Sequence, residues 1–149
     1  MIEYQLFSRR IFWSSEQQIF VGDLETTSYE NIPTQNLRET LALSYNPIRN
    51  ILYILTKDGE KWTISQLDVA SQNQAVLYES SRPITSLSST SGQLMFSDDE
   101  GAKVFDLESN EAFLRVQGKG VAGMSTYRPS MDRREGQCAK VIIIVKTEL

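Results

Sequence analysis

The sequence repeats itself, and this repeat restricts the fold more than any single motif does. Moved forward by 83 positions, Phe12 to Leu24 (FWSSEQQIFVGDL) lies without a gap on Met95 to Leu107 (MFSDDEGAKVFDL). Trp13 then meets Phe96, Val21 meets Val104, Asp23 meets Asp106 and Leu24 meets Leu107. A third copy sits between them: Leu52 to Thr56, a polar turn Lys57-Asp58-Gly59-Glu60, and Trp62 to Leu67. Trp13, Tyr53 and Phe96 align as aromatic anchors 40 and 43 apart, and Leu24, Leu67 and Leu107 as closing leucines 43 and 40 apart. The three-residue difference is expected in the turn, where insertions disturb least.

Each copy has the pattern of strands. Apolar residues alternate with period two in Trp62-Thr63-Ile64 and Ile19-Phe20-Val21, and Asp58-Gly59, Ser91-Gly92 and Glu100-Gly101 mark turns. A further strand precedes two of the anchors, Leu41 to Pro47 and Ile84 to Ser88, and an outer strand follows two of the leucines, Gln74 to Tyr78 and Ala112 to Val116. Val121 to Pro129 repeats the Tyr-x-Pro ending of Tyr45-Asn46-Pro47, and Tyr4 to Phe7 has the pattern of a truncated equivalent.

Four strands in a unit of 40 to 43 residues match the period of a β-propeller blade. The expected fold is therefore all-β: a partial β-propeller of about three four-stranded antiparallel blades plus an extra inner strand. The expected division is a blade at 1–36, a blade at 37–80, a blade at 81–117, the inner strand of a closing blade at 118–129, and a linker and tail at 130–149. Propellers close with about four to eight blades, so three would leave two apolar blade faces open. Two solutions exist: remaining blades in a longer parent chain, or a second copy of this chain closing a six-bladed ring. The short first inner strand and the unpaired last one favour the fragment.

Composition removes much chemistry. With 149 residues, a net charge of -4, no His and one Cys, the chain has no histidine triad, no His-based zinc site and no internal disulfide framework. Its mild acidity opposes a nucleic-acid partner, which needs a concentrated positive field. No stretch approaches 18 apolar residues, and no Asn is followed two places later by Ser or Thr. The latter points weakly to an intracellular home. Cys138 is either a reduced thiol or half of a bond to a residue outside this sequence.

The repeat resembles the class B repeat of low-density-lipoprotein receptors, whose second strand carries a Tyr-Trp-Thr-Asp signature. The windows are Phe12-Trp13-Ser14-Ser15, Tyr53-Ile54-Leu55-Thr56 and Met95-Phe96-Ser97-Asp98; the first keeps the Trp and the third keeps the acidic residue. The third strands, Ile19 to Leu24, Ile64 to Asp68 and Val104 to Leu107, look like the line that follows in the family, and the likeness runs from about residue 2 to 138. Tyr127-Arg128-Pro129, the polar stretch Ser130 to Gln137 and Cys138 are similar to the passage from such a propeller into an epidermal-growth-factor-like module. The tail Lys140 to Lys146 is unlike that module, and as a bare β-branched run it would aggregate unless paired. The resemblance implies the C-terminal half of a six-bladed propeller in the extracellular part of a membrane receptor, of the lipoprotein-receptor or sevenless type, binding a protein ligand or neighbouring receptor modules.

Few residues offer chemistry of their own. Asp98-Asp99-Glu100-Gly101 could hold Ca²⁺ but is expected to be a solvated turn, because calcium needs more converging ligands than one tight turn supplies. Trp13 is expected to pack between blades. Trp62, which has no aromatic counterpart in the other copies, and Arg133 and Arg134 in the linker are the candidate partner-binding residues. Cys138 lacks a His to form a thiolate, and the inner strands offer mainly Leu, Ser, Thr and Ala. No catalytic, cofactor-binding or metal-binding residue is therefore expected, and the chain is not expected to be an enzyme. The rival is a cytoplasmic scaffold propeller of the WD-repeat kind; it accounts for the missing glycosylation sites and lone Cys, but the sequence lacks the Gly-His and Trp-Asp signatures.

Overall fold

In the computed structural model, residues 2–5, 10–35, 37–90, 92–117, 123–127 and 140–144 are described, and their regular structure is all β-strand. The first sheet holds β1 (Ile2–Gln5), β2 (Arg10–Ser15), β3 (Gln18–Asp23) and β4 (Tyr29–Ile32). The second holds β5 (Glu39–Asn46), β6 (Ile51–Asp58), β7 (Lys61–Asp68) and β8 (Gln74–Ser80). The third holds β9 (Ser86–Ser89), β10 (Gln93–Ser97), β11 (Gly101–Asp106) and β12 (Glu111–Gln117). Each is an antiparallel meander in chain order, the arrangement of a propeller blade. The expected inner strand appears as β13 (Gly123–Tyr127), and the apolar tail forms β14 (Lys140–Ile144), which pairs with it antiparallel. The tail's edge thus has a partner, with Thr126 opposite Val141 and Met124 opposite Ile143. The chain divides into two compact units, Met1–Pro83 and Ile84–Leu149.

Cross-strand pairing defines which positions in the copies are equivalent. Arg10 pairs with Asp23 and Gln93 with Asp106, so the first and third hairpins share one register 83 residues apart. In the second sheet the closing aspartate is Asp68, opposite Ile51. Counted from these aspartates, Phe12, Tyr53 and Met95 are equivalent, as are Trp13, Ile54 and Phe96. The four-residue windows therefore coincide, but Tyr53 is not the counterpart of Trp13. It lies one residue away, on the other face of its sheet, because side chains alternate with period two. Leu67 likewise precedes its aspartate, whereas Leu24 and Leu107 follow theirs, so Val69 is their counterpart. The extra length of the second copy lies in its strands, eight residues each in β6 and β7 against six in β2 and β3, and not in the turn. The inner strand of the first sheet ends at Gln5; Leu6 and Phe7 lie outside the described residues.

Side-chain acceptors close the turns. Oδ1 of Asp23 accepts from the amides of Glu25 and Thr26 at 2.8 and 3.3 Å, Asp68 from Ala70 and Ser71 at 2.9 Å each, and Asp106 from Glu108 and Ser109 at 2.8 and 3.2 Å. These are Asx turns, in which a carboxylate replaces the lost strand partners. Four residues after each aspartate the backbone turns left-handed, at Thr27, Gln72 and Asn110, with φ of 55°, 60° and 58°. Asn46 in Tyr45-Asn46-Pro47 does the same for the amides of Ile48 and Arg49, and Tyr45 Oη donates to Asn50 Oδ1 at 2.8 Å.

In the first unit the core lies where one sheet face meets another. Phe12, Ile19, Val21 and Ile32 of the first sheet pack with Leu43, Tyr45, Leu52, Ile54 and Leu67 of the second. The rings of Phe12 and Tyr45 are 4.6 Å apart. Each fully buried aliphatic or aromatic side chain contributes about 1.5–3 kcal/mol. The inner strand β5 lies beside β1 and β2, and in the second unit β13 lies beside β9 and β10. The outer strands are poor templates for further pairing: β4 has four residues, and β8 and β12 carry register shifts opposite Ile64/Ser65 and Ala102/Lys103.

Candidate protein-binding surface

The β6–β7 hairpin ends in a two-residue turn with Gly59 at φ +60°, the conformation that a first central glycine supplies to a tight hairpin. Beside the turn, Lys57 stands opposite Trp62, and Lys57 Nζ lies 5.3 Å from the centre of the indole. Trp62 is half-buried, so one ring surface is engaged by the cation while part of the side chain meets solvent. Two ion pairs, Lys61–Glu79 at 2.7 Å and Arg38–Asp58 at 3.5 Å, belong to the other face of the hairpin, because Asp58 pairs with Lys61 and Glu79 with Thr63. A shallow cleft of about 350 Å³ adjoins them, lined in part by Gln35, Thr63 and Gln74. The Gln74 side chain holds the connecting segment as a strand would: Oε1 accepts from the Gln35 amide at 2.8 Å and Nε2 donates to the Gln35 carbonyl at 3.3 Å. The hairpin thus carries a half-exposed aromatic under a cation on one face and the cleft with its ion pairs on the other.

A second apolar surface lies on the first sheet, on the face opposite Phe12. Trp13 stacks on Phe20 at 5.5 Å, and Tyr29 lies 5.9 Å from Trp13 and 6.2 Å from Phe20. Gly22 is the floor of this cluster: a Cβ there would stand 3.0 Å from Trp13 Cζ3 and 3.1 Å from Ile11 Cγ2. Tyr29 is 70% exposed, and Ile11, Trp13 and Phe20 are half-buried. Trp13 therefore sits on an open sheet face, whereas its counterparts Ile54 and Phe96 are fully buried. Sequence inspection missed Phe20 and Tyr29; the signal was Gly22, a small residue within an alternating strand.

The acidic run is a turn in which Asp99 and Glu100 are exposed, as expected, but Asp98 is not. Asp98 is 4% exposed. Its Oδ1 accepts from the amides of Glu100 and Gly101 at 2.9 and 3.3 Å, and its Oδ2 takes a 2.6 Å bond from Lys103 Nζ, which also reaches Glu100 at 2.8 Å. The Lys103 ammonium and the turn amides let the carboxylate leave water. Among the described residues no group of three or more His, Cys, Asp or Glu side chains is placed to hold a metal. Tyr53 is fully buried, and its hydroxyl has no hydrogen-bond partner among the described residues. Burial raises its pKa above the usual tyrosine value, with the nearby Arg49 charge and the Asn46 side chain opposing the rise. Arg133, Arg134 and Cys138 lie outside the described residues.

No protein-family model matches the chain, and no curated protein sequence matches it. Solved structures do. The chain is similar to a protein in the nidogen/laminin complex, with 13% identity and a TM-score of 0.50 over 74% of this chain and 60% of that one. It is similar to Sqt1 of Saccharomyces cerevisiae, with 15% identity and a TM-score of 0.61 over 89% of this chain and 36% of that one. It is also similar to the isopeptidase AtxE2, with 10% identity and a TM-score of 0.57 over 70% of this chain and 18% of that one. The chain thus spans less than two thirds of each of these structures. At such identities the likeness establishes the fold class alone: all-β, of the β-propeller kind.

Proposed function

We propose that this chain is a non-catalytic, protein-binding segment of a β-propeller of the cell-surface-receptor type, similar to the class B repeat of low-density-lipoprotein receptors, acting on the extracellular side of a membrane. The observation that carries the binding role is the Lys57–Trp62 pair on the β6–β7 hairpin. A half-exposed indole under a cation at the end of a hairpin has the make-up of an interface anchor, an aromatic beside a polar group. The receptor reading draws on the three signature windows, which occupy the same register in all three sheets, and on the Asp98 of the third, which closes its turn. The non-catalytic reading draws on a sequence with no His and one Cys. Fold alone does not decide this, since one similar structure is an isopeptidase. The partner is a protein ligand or neighbouring receptor modules, and remaining blades of a parent chain or a second copy complete the ring. The net charge of -4 gives nucleic acid no attraction.

The second reading, a cytoplasmic scaffold propeller of the WD-like kind, is favoured by the missing Asn-x-Ser/Thr acceptors. Labelling intact cells with a membrane-impermeant amine reagent separates the two: the receptor reading expects labelled protein, and labelling only after permeabilisation establishes the scaffold instead. For the binding role, a photo-cross-linker on Lys57 should capture a protein partner, and Trp62→Ala should weaken that partner's binding by tenfold or more. Binding unchanged in Trp62→Ala would remove the hairpin from the interface.

A further inference from the structure

Within the first unit the structure shows what covers a sheet face of this type. Counted from the closing aspartates, Ile11, Trp13, Phe20 and Gly22 of the first sheet are equivalent to Leu52, Ile54, Ser65 and Leu67 of the second. Leu52, Ile54 and Leu67 are fully buried, because the first sheet lies over them with its opposite face, Phe12, Ile19 and Val21. A face of the Trp13 kind is thus covered by a face of the Phe12 kind. On the first sheet the Trp13 face is itself open: Trp13 and Phe20 are half-buried and Tyr29 is 70% exposed.

The burial of the Phe12-type faces decides which sheet can cover it. Phe12, Ile19 and Val21 are buried within the chain, as are their counterparts Tyr53 and Ile64 in the second sheet and Met95, Ala102 and Val104 in the third. A second copy therefore has no such face free on any of its three four-stranded sheets. Its Trp13 face is free, but the packing between the first and second sheets joins unlike faces. That packing also joins sheets consecutive in the chain, with only residues 33–38 between β4 and β5 and with β5 beside β1 and β2.

We infer that the Trp13–Phe20–Tyr29 face is a contact between blades, and that its occupant is a further blade of a longer parent chain, docked through its own Phe12-type face. The chemistry of that face follows from what it meets. Ser15, Gln18 and Asn31 share the open face with the aromatic cluster and none is ionised, so the occupant brings no charge to it. Trp13 and Phe20 are bulkier than their counterparts Ile54 and Ser65, so close packing calls for smaller, aliphatic side chains above them than Phe12. The inference rests on the reading that further blades complete the ring and deepens it; it does not depend on the cell-surface assignment.

Photo-cross-linking tests it. p-Benzoylphenylalanine is placed at Tyr29, whose exposure lets the fold tolerate the change, in the parent protein expressed in its own cells, and the linked peptide is identified by mass spectrometry. The expected result is a link within one polypeptide to a strand of a blade outside residues 1–149, and loss of that product when the reagent is moved to Ile48, which is 68% exposed on the turn between β5 and β6. A link to the Tyr29 region of a second copy, a link to a different protein, or no link from position 29 would each overturn the inference. The peptide map of the parent protein separates the two failures: further blades with no link to them overturn this contact alone, and a parent without further blades overturns the ring reading as well.

Discussion

Replacing Phe12 by alanine should damage the first unit far more than replacing its neighbour Trp13, although tryptophan is the larger residue. Phe12 is 0% exposed and lies 4.6 Å from Tyr45 in a cluster closed by Ile19, Leu52, Ile54 and Leu67. A rigid sheet-on-sheet contact collapses poorly onto a lost ring, so the cost belongs near the middle of the range for buried phenylalanines, about 4 kcal/mol. Trp13 points to the opposite face, where solvent already reaches it and its partners are Phe20 and Tyr29. Its loss forfeits partial burial and a stacking contact, about 1–2 kcal/mol. Against a typical total stability of about 5–15 kcal/mol, the first change leaves a measurably unfolded protein and the second does not. Urea denaturation followed by circular dichroism measures both. A Trp13→Ala loss equal to or above that of Phe12→Ala would refute the assignment of faces.

Four further outcomes follow from the turns and buried groups. Thr27 is a β-branched residue at φ 55°, where the equivalent turn in the third sheet has Asn110; Thr27→Asn should raise stability by roughly 0.5–1 kcal/mol in the same urea assay, and a loss would contradict the shared turn geometry. Gly101 has φ 143°, and a Cβ there would fall 2.0 Å from the Val116 carbonyl oxygen, so Gly101→Ala should cost more than about 2 kcal/mol, read as loss of amide protection in β11 and β12. Backbone amides hold the carboxylates of Asp68 and Asp106 below the usual range, first those of Ser71 and Glu108; their charge therefore favours folding above the unfolded value of about 3.9 and ceases to as pH falls through the lower folded values, so Asp68→Asn with Asp106→Asn should flatten the stability profile below about pH 4. Tyr53→Phe should leave stability unchanged or raise it by about 1 kcal/mol and reduce unfolding above about pH 10, since a raised folded pKa makes ionisation oppose folding; a large loss would reveal a partner for the hydroxyl.

Much of the architecture is legible in the residues because the first and third hairpins share one register, so a gap-free shift of 83 aligns side chains that share a face. The second hairpin is less legible. Its strands are two residues longer, and matching aromatic to aromatic puts Tyr53 on Trp13 when the structure puts Ile54 there. Residue type suggested the match, but pairing decides it, and a slip of one reverses the face. The outer strand of the first sheet, Tyr29–Ile32, has too few apolar residues to declare itself, so the aromatic cluster it completes was not visible. Asp98 was misjudged for a related reason: acidic residues in a run signal exposure, and nothing local announces that Lys103, five residues on, will accompany the carboxylate inward. Trp62, by contrast, stands out in the sequence as unmatched and in the structure as half-exposed.

The central claim is that three sheets repeat one register, with the second residue of each window, Trp13, Ile54 and Phe96, on the face opposite the first, Phe12, Tyr53 and Met95. Cross-strand nuclear Overhauser contacts in the isotopically labelled chain test it directly. The account predicts that Trp13 faces Phe20, Ile54 faces Ser65 and Phe96 faces Lys103; a spectrum in which Tyr53 instead of Ile54 faces Ser65 would contradict it.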